Sequence, residues 1–238
     1  MVEPYFQDNS TQIFLGDSRE IIPQLQQPDI VLTDPPYGIE YQSGHQEKWN
    51  QFAKIYGDNE FPLWIFDMLK PKIAIFIFCR WNNLYELPRP KSFIVWDKGY
   101  GTGSGDLKHE YTRQWEAIAF YPGTSHLFTS RPADIIHCDC IPAVLLKHPN
   151  EKPVSMLQYL IASHPKGIVL DPFCGTGSTL RAAKNLGRKS IGIEINEDYA
   201  RIAVEQMQQS ILDLEVGQIK QNTSEEIPDV TARQGKLF

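Results

Sequence analysis

Short runs in which successive residues are all apolar recur along this chain, and four of them close on an acid. The runs are Ile13-Phe14-Leu15, Ile30-Val31-Leu32, Ile73 to Phe78, Phe93-Ile94-Val95, Ile168-Val169-Leu170 and Ile191-Gly192-Ile193. A strand that is apolar at every position, rather than at every second one, has to be covered on both faces, which is the habit of parallel sheets. Helical patterns separate the runs at 61–69, 153–163, 178–186 (closed by Gly187) and 197–207. The alternation predicts an α/β fold with a doubly wound, mostly parallel sheet of Rossmann-like type. In such a sheet the carboxyl ends of the strands line the ligand crevice. Asp17, Asp34, Asp171 and Glu194 follow the runs that begin at Ile13, Ile30, Ile168 and Ile191, so four carboxylates are expected to converge on one side.

The 238 residues carry no apolar stretch long enough to span a bilayer and no basic-then-apolar leader after Met1, so a cytoplasmic protein is expected. No repeat or Pro/Gly-rich linker divides the chain, and we expect one domain over 1–212 followed by a polar, aperiodic tail over 213–238. The net charge of −6 says little about a nucleic-acid partner. Residues 194–238 hold nine acids and four bases, leaving the body with 20 acids and 19 bases. Cys79, Cys138, Cys140 and Cys174 fit no disulfide framework, and His137-Cys138-Asp139-Cys140 lacks the second pair that a structural zinc site needs, so no metal is expected.

Asp34-Pro35-Pro36-Tyr37 directly follows a buried strand. An aromatic amine is a poor nucleophile because its lone pair is delocalised into the ring. Two acceptors that take hydrogen bonds from its N–H groups draw the nitrogen towards tetrahedral geometry and free that pair. Asp34 supplies one acceptor, and the carbonyl of Pro35 or Pro36 supplies another on a stiff backbone whose own nitrogen cannot donate. Tyr37 offers a face on which a base can stack, worth about 1–3 kcal/mol.

The second motif, Asp171-Pro172-Phe173-Cys174-Gly175-Thr176-Gly177-Ser178-Thr179, joins a buried strand to a helix. Gly175 and Gly177 allow close approach to the backbone, and the helix N-terminus behind Ser178 and Thr179 suits a carboxylate. Leu180 stands where a dinucleotide fingerprint requires Gly or Ala. Glu194, 23 residues after Asp171, is placed to accept both hydroxyls of a ribose. A ribose with a small zwitterion, rather than a pyrophosphate, points to S-adenosyl-L-methionine as cofactor.

With both motifs in hand, the sequence resembles the amino-methyltransferases of DNA, in particular their permuted β class, in which the Asp-Pro-Pro-Tyr block precedes the cofactor loop. The resemblance extends over residues 12–207. It implies a methyltransferase fold, S-adenosylmethionine as donor, and double-stranded DNA with a flipped target base as substrate, and it admits a homodimer. Asp171, Pro172, Phe173, Gly175, Gly177, Ser178, Thr179 and Glu194 would bind the cofactor, and Asp34, Pro35, Pro36 and Tyr37 would form the catalytic block. Gly16-Asp17-Ser18 resembles the segment whose Asp contacts the cofactor adenine. His148-Pro149-Asn150-Glu151-Lys152-Pro153 resembles the segment leading into the first cofactor-side helix, which implies that Lys152 meets the methionine carboxylate. Trp96-Asp97-Lys98-Gly99, Gly105-Asp106-Leu107-Lys108 and Trp115-Glu116 are similar to a segment of small phage and prophage enzymes.

Only 25 residues, 123–147, stand where larger relatives insert a long target-recognition region. Recognition is therefore expected within about 99–147, helped by the loop at 39–57, where Tyr41, Trp49, Phe52 and Tyr56 interleave with Lys48 and Lys54. Tyr41, Lys98, Arg113 and Arg131 are the candidate DNA contacts. The expected reaction is methylation of the exocyclic N6 amine of adenine. The N4 amine of cytosine is the alternative, since the acceptor logic is the same, although relatives of that type often carry Ser where Asp34 stands. A catalytically inactive DNA-binding module is the alternative of another class.

Overall fold

Residues that are apolar on both sides of a strand find two separate cores. The computed structural model describes residues 2–37, 60–99, 108–109, 111–141 and 151–208. Met1–Met207 form one compact unit; of the second unit, Gln208–Phe238, only Gln208 is among the described residues. The loop at 39–57 and the tail at 213–238 lie outside them.

In chain order the elements are β1 (Phe6–Gln7), β2 (Thr11–Leu15), α1 (Ser18–Ile21), β3 (Ile30–Thr33), α2 (Ile65–Met68), β4 (Ala74–Cys79), β5 (Ser92–Asp97), β6 (Trp115–Pro122), β7 (Ile135–His137), α3 (Val154–Ala162), β8 (Val169–Asp171), α4 (Ser178–Asn185), β9 (Ser190–Glu194) and α5 (Glu197–Gln208). The described strands form one sheet in the order β1-β2-β9-β8-β3-β4-β6-β5-β7. From β2 to β4 all neighbours are parallel, while β1 and β6 run against the rest.

Alternate residues of each central strand go to opposite faces. Ile30, Leu32, Phe76 and Phe78 pack beneath Met156, Leu157, Leu160 and Ile161 of α3. Val31, Ile75 and Ile77 face the other way, with Ile21, Ile65, Leu69 and Leu170. This double cover is why the runs read as continuously apolar.

All six expected strands are present. The helices expected at 153–163, 178–186 and 197–207 are α3, α4 and α5. The 61–69 pattern yields one helical turn only, Ile65–Met68, because the segment enters through Phe61-Pro62 and its N-cap, Trp64, supplies no side-chain acceptor. The eight-residue strand β6 is an addition. Its buried stretch Ala117-Ile118-Ala119-Phe120 lies between β4 and β5, where two alanines keep the apolar signal low. No helix among the described residues is long and apolar enough to cross a membrane.

Candidate active site

The four acids sit where the strand order brings them together. Strands β2, β9, β8 and β3 are consecutive neighbours, and Asp17, Glu194, Asp171 and Asp34 stand at or just beyond their carboxyl ends. At about 4.8 Å per strand, these ends span roughly 15 Å of one sheet edge.

The cofactor-side half is built on β8 and β9. Asp171 is buried at 3% exposure; its carboxylate accepts from Thr33 Oγ1 at 2.8 Å and from the Phe173 N–H at 3.1 Å. Burial pushes this carboxyl up to about 6, against the hydrogen bonds of Thr179, Thr33 and Phe173. Thr33 is the last residue of β3, so this bond ties the strand carrying Asp34 to the strand carrying the glycine loop. Glu194 accepts the Gly175 N–H at 2.9 Å and the Asn196 N–H at 2.8 Å, and burial raises its pKa in spite of these donors. Ser18 Oγ donates to the Pro172 carbonyl, which anchors the start of α1 to the same loop. Asp17 caps α1 and pairs with Arg19 at 2.7 Å. Phe173 packs its ring against Trp64, centroids 5.8 Å apart.

The two glycines differ. Gly175 has φ +52°, and a Cβ there would meet nothing within 4 Å, so the loop keeps an open face at this point. Gly177 has φ +91°, and a Cβ there would lie 3.0 Å from that of Ala203 on α5. Its lack of a side chain therefore allows the close packing of α5 at this point. Buried acceptors on Glu194 and an open face at Gly175, ahead of the N-terminus of α4, fit a ribose-bearing zwitterion.

The second half surrounds Asp34. Tyr37 donates its hydroxyl to Asp34 Oδ1, and Asn83 Nδ2 donates to the Tyr37 carbonyl at 3.2 Å. Lys152 Nζ lies 2.8 Å from Asp34 Oδ2 and 3.2 Å from Glu116 Oε2, and Lys98 pairs with Glu116 Oε1. Lys152 is 7% exposed and stands over Phe78 and Trp96, at 5.0 and 5.9 Å from the ring centroids. Burial pushes the Asp34 carboxyl up, with Lys152 opposing. Burial alone would depress Lys152, but Asp34 and Glu116 hold it above the ordinary lysine range. The two lysines, Lys152 first, hold Glu116 below the usual carboxylate range despite its burial. Tyr37 stays neutral, raised by burial and by Asp34.

Among the candidate DNA contacts, Lys98 and Arg113 lie at this end of the sheet, beside the start of β6, where the Lys98 N–H meets the Gln114 carbonyl. Arg131 does not. It precedes β7 and lines a cavity of about 390 Å³ with Ser92, the first residue of β5, and with Ser163 and His164 beyond α3, at the amino ends of the strands. Tyr41 is outside the described residues. Lys152, which the family resemblance places at the cofactor carboxylate, contacts Asp34 and Glu116 here. Thr33, Asn83 and the role of Glu116 were not legible in the sequence: a lone polar residue at a strand end, or in the 3-10 turn at Trp81–Tyr85 that carries Asn83, has no spacing signal. Only the Trp115-Glu116 resemblance pointed towards Glu116.

An open, mostly parallel sheet with a glycine loop after β8, an acid closing β9, and the Asp34–Tyr37 block after the adjacent β3 fits a nucleotide-cofactor group transferase. The DNA methylase family model matches residues 109–205. The chain is 34% identical over 194 residues to the putative methylase YubD of Escherichia coli (strain K12), covering 73% of this chain and 78% of that protein. The structure of M1.HpyAVI with SAM is similar at 25% identity and a TM-score of 0.61, covering 82% of this chain and 99% of that one. The cytosine-N4-specific PvuII DNA methyltransferase, 14% identical, shares the fold at a TM-score of 0.65 over 92% of this chain and 94% of its own. The chain belongs to the N6/N4 family of S-adenosylmethionine-dependent DNA methyltransferases.

Proposed function

We propose that this protein methylates the exocyclic N6 amine of an adenine flipped out of double-stranded DNA. The observation that carries the reading is the juxtaposition of Asp34 with the glycine loop through adjacent strands β3 and β8, pinned by the Thr33–Asp171 hydrogen bond. When bound, S-adenosylmethionine supplies an electrophilic sulfonium methyl. Asp34 and the carbonyl of Pro35 or Pro36 accept the two N–H groups of the amine, release its lone pair from the ring, and leave it pointing at the neighbouring loop. Tyr37 stacks on the base. Asp171, Pro172, Phe173, Gly175, Ser178, Thr179 and Glu194 hold the cofactor, with Asp17 reaching its adenine. The catalytic block stands ahead of the cofactor loop in the chain, which supports the permuted β-class reading.

Adenine is favoured over cytosine by the carboxylate at Asp34, a preference taken from the family resemblance. Arg113, within a recognition segment at 99–147, and Lys98, just ahead of it, lie at the catalytic end and are the residues we assign to DNA contact. The test is mass spectrometry of nucleosides from DNA treated with the protein and S-adenosylmethionine. N6-methyladenine is expected. Methylcytosine without methyladenine would replace this reading by the N4 one.

A further inference from the structure

Four charges alternate in sign through the floor of the catalytic half: Asp34, Lys152, Glu116 and Lys98, contributed by the loop after β3, the approach to α3, β6 and the end of β5. An ion pair this well covered is weak evidence of stability, since an apolar pair of similar volume holds a fold as well. Its meaning has to be sought in what it does to Asp34. We propose that Lys152 is the positioning residue that holds Asp34 ionised and turned towards the target amine, and that Glu116 holds Lys152 in turn. The inference rests on the reading of Asp34 as the amine acceptor.

Among the described residues, every other titratable group facing Asp34 works against its charge or is neutral: Glu116 from β6 and Asp171 from β8 are acids, while Cys79 from β4 and Tyr37 from its own loop stay protonated. Lys98 from β5 reaches Asp34 only through Glu116. Among the described residues, Lys152 and the Tyr37 hydroxyl oppose burial by direct contact, and of the two Lys152 brings the compensating charge. A protonated Asp34 would donate a hydrogen bond where the amine needs an acceptor, and transfer would stall. Glu116 spans the two lysines with its two oxygens, and Phe78 and Trp96 line the ammonium. Both fix Lys152 over Asp34 Oδ2 and leave the rest of the carboxylate for the amine once the Tyr37 hydroxyl yields Oδ1.

The inference separates from a cofactor-binding role by its pH signature. The measurement is kcat for DNA methylation at saturating cofactor and DNA, from about pH 6 to about pH 9.5, with cofactor affinity by calorimetry. Wild type should be flat across this range. Lys152→Met should lose about tenfold or more at neutral pH and regain activity at about tenfold per pH unit on the acid limb, as the remaining acids compete for a proton. Lys152→Arg should keep the flat profile. Lys152→Met combined with Glu116→Gln should be several-fold more active at neutral pH than Lys152→Met alone, because the like charge beside Asp34 is gone. Should Lys152→Met fail to fold, Lys152→Gln carries the same expectation. A constant loss at every pH, a double variant no better than the single one, or a defect confined to cofactor affinity would overturn the inference. Asp34→Ala tests the acceptor reading separately: if that variant stays active, the reading fails whatever Lys152 does.

Discussion

At the scale of single residues, the division of labour between Asp34 and Asp171 follows from what each touches. Asp34 keeps partial contact with solvent and pairs with Lys152 and the Tyr37 hydroxyl, whereas Asp171 spends its carboxylate inside the fold on Thr33, Phe173 and Thr179. Asp34→Ala should therefore leave cofactor affinity near wild type and lower turnover by about a hundredfold or more, because the lost interaction strengthens only in the transition state. Calorimetry beside a turnover assay checks this; loss of cofactor binding with normal turnover at saturation would sink the assignment. Asp171 gives a different expectation. Its folded pKa, about 6, lies above the unfolded value of 3.8, so its favourable share of stability is complete below the unfolded pKa and lost as pH rises through 6. Asp171→Asn cannot ionise, so its stability relative to wild type should improve between about pH 4 and pH 7, by on the order of 2–3 kcal/mol. Thermal unfolding of both proteins across that range measures it, and a pH-independent difference refutes it. Asp34 and Asp171 were both legible in the sequence, since each closes an apolar run; their opposite environments were not, because burial is set by neighbouring strands.

At the scale of elements, the loop between β8 and α4 is where two glycines with the same sequence appearance part company. Gly175→Val would put a branched side chain into the open face of the loop, with left-handed backbone strain in addition, and should abolish cofactor binding while the protein still folds. Gly177→Val would drive into Ala203 of α5 and should lower the melting temperature before it changes affinity. Thermal shift with and without S-adenosylmethionine separates the two outcomes. Normal cofactor binding by a folded Gly175→Val would remove the loop from the binding site. The Gly-x-Gly spacing announces a close approach but not what approaches, and here a side chain at one glycine would meet open space and at the other a helix. The same limit hid β6, whose alanines are buried by β4 and β5 rather than by their own hydrophobicity.

At the scale of the molecule, the polarity of the sheet sorts the candidate DNA contacts. The carboxyl ends of β2, β9, β8, β3, β4 and β5 face one way, and β6 begins there because it runs antiparallel. Arg113 precedes that start, whereas Arg131 enters the sheet from the other end. Arg113→Ala should relax preference at a base flanking the target, at a cost of about 1–3 kcal/mol of discrimination if it reads a base edge. Arg131→Ala should leave the preference unchanged. A randomised-flank oligonucleotide library methylated by the wild type and both variants is the measurement. Equal slowing of all sequences by Arg113→Ala would make that residue a phosphate contact, and a changed preference in Arg131→Ala would contradict the placement.

The sequence by itself determined the layers of this protein and the chemistry of its two motifs. Continuous apolar runs require burial on both faces, and an acid after such a run must leave the sheet at its carboxyl end; both are local consequences of strand geometry. Only the tertiary structure decided which motif stands beside which. Strand order placed β3 next to β8, and so Asp34 next to the glycine loop, across 138 positions of chain between Thr33 and Asp171. It likewise carried Lys152 to Asp34 and Glu116, where the surrounding charges rather than the spacing of the motif define what the lysine does. Contacts of that range depend on how the whole sheet is ordered, and no local pattern of residues encodes that order.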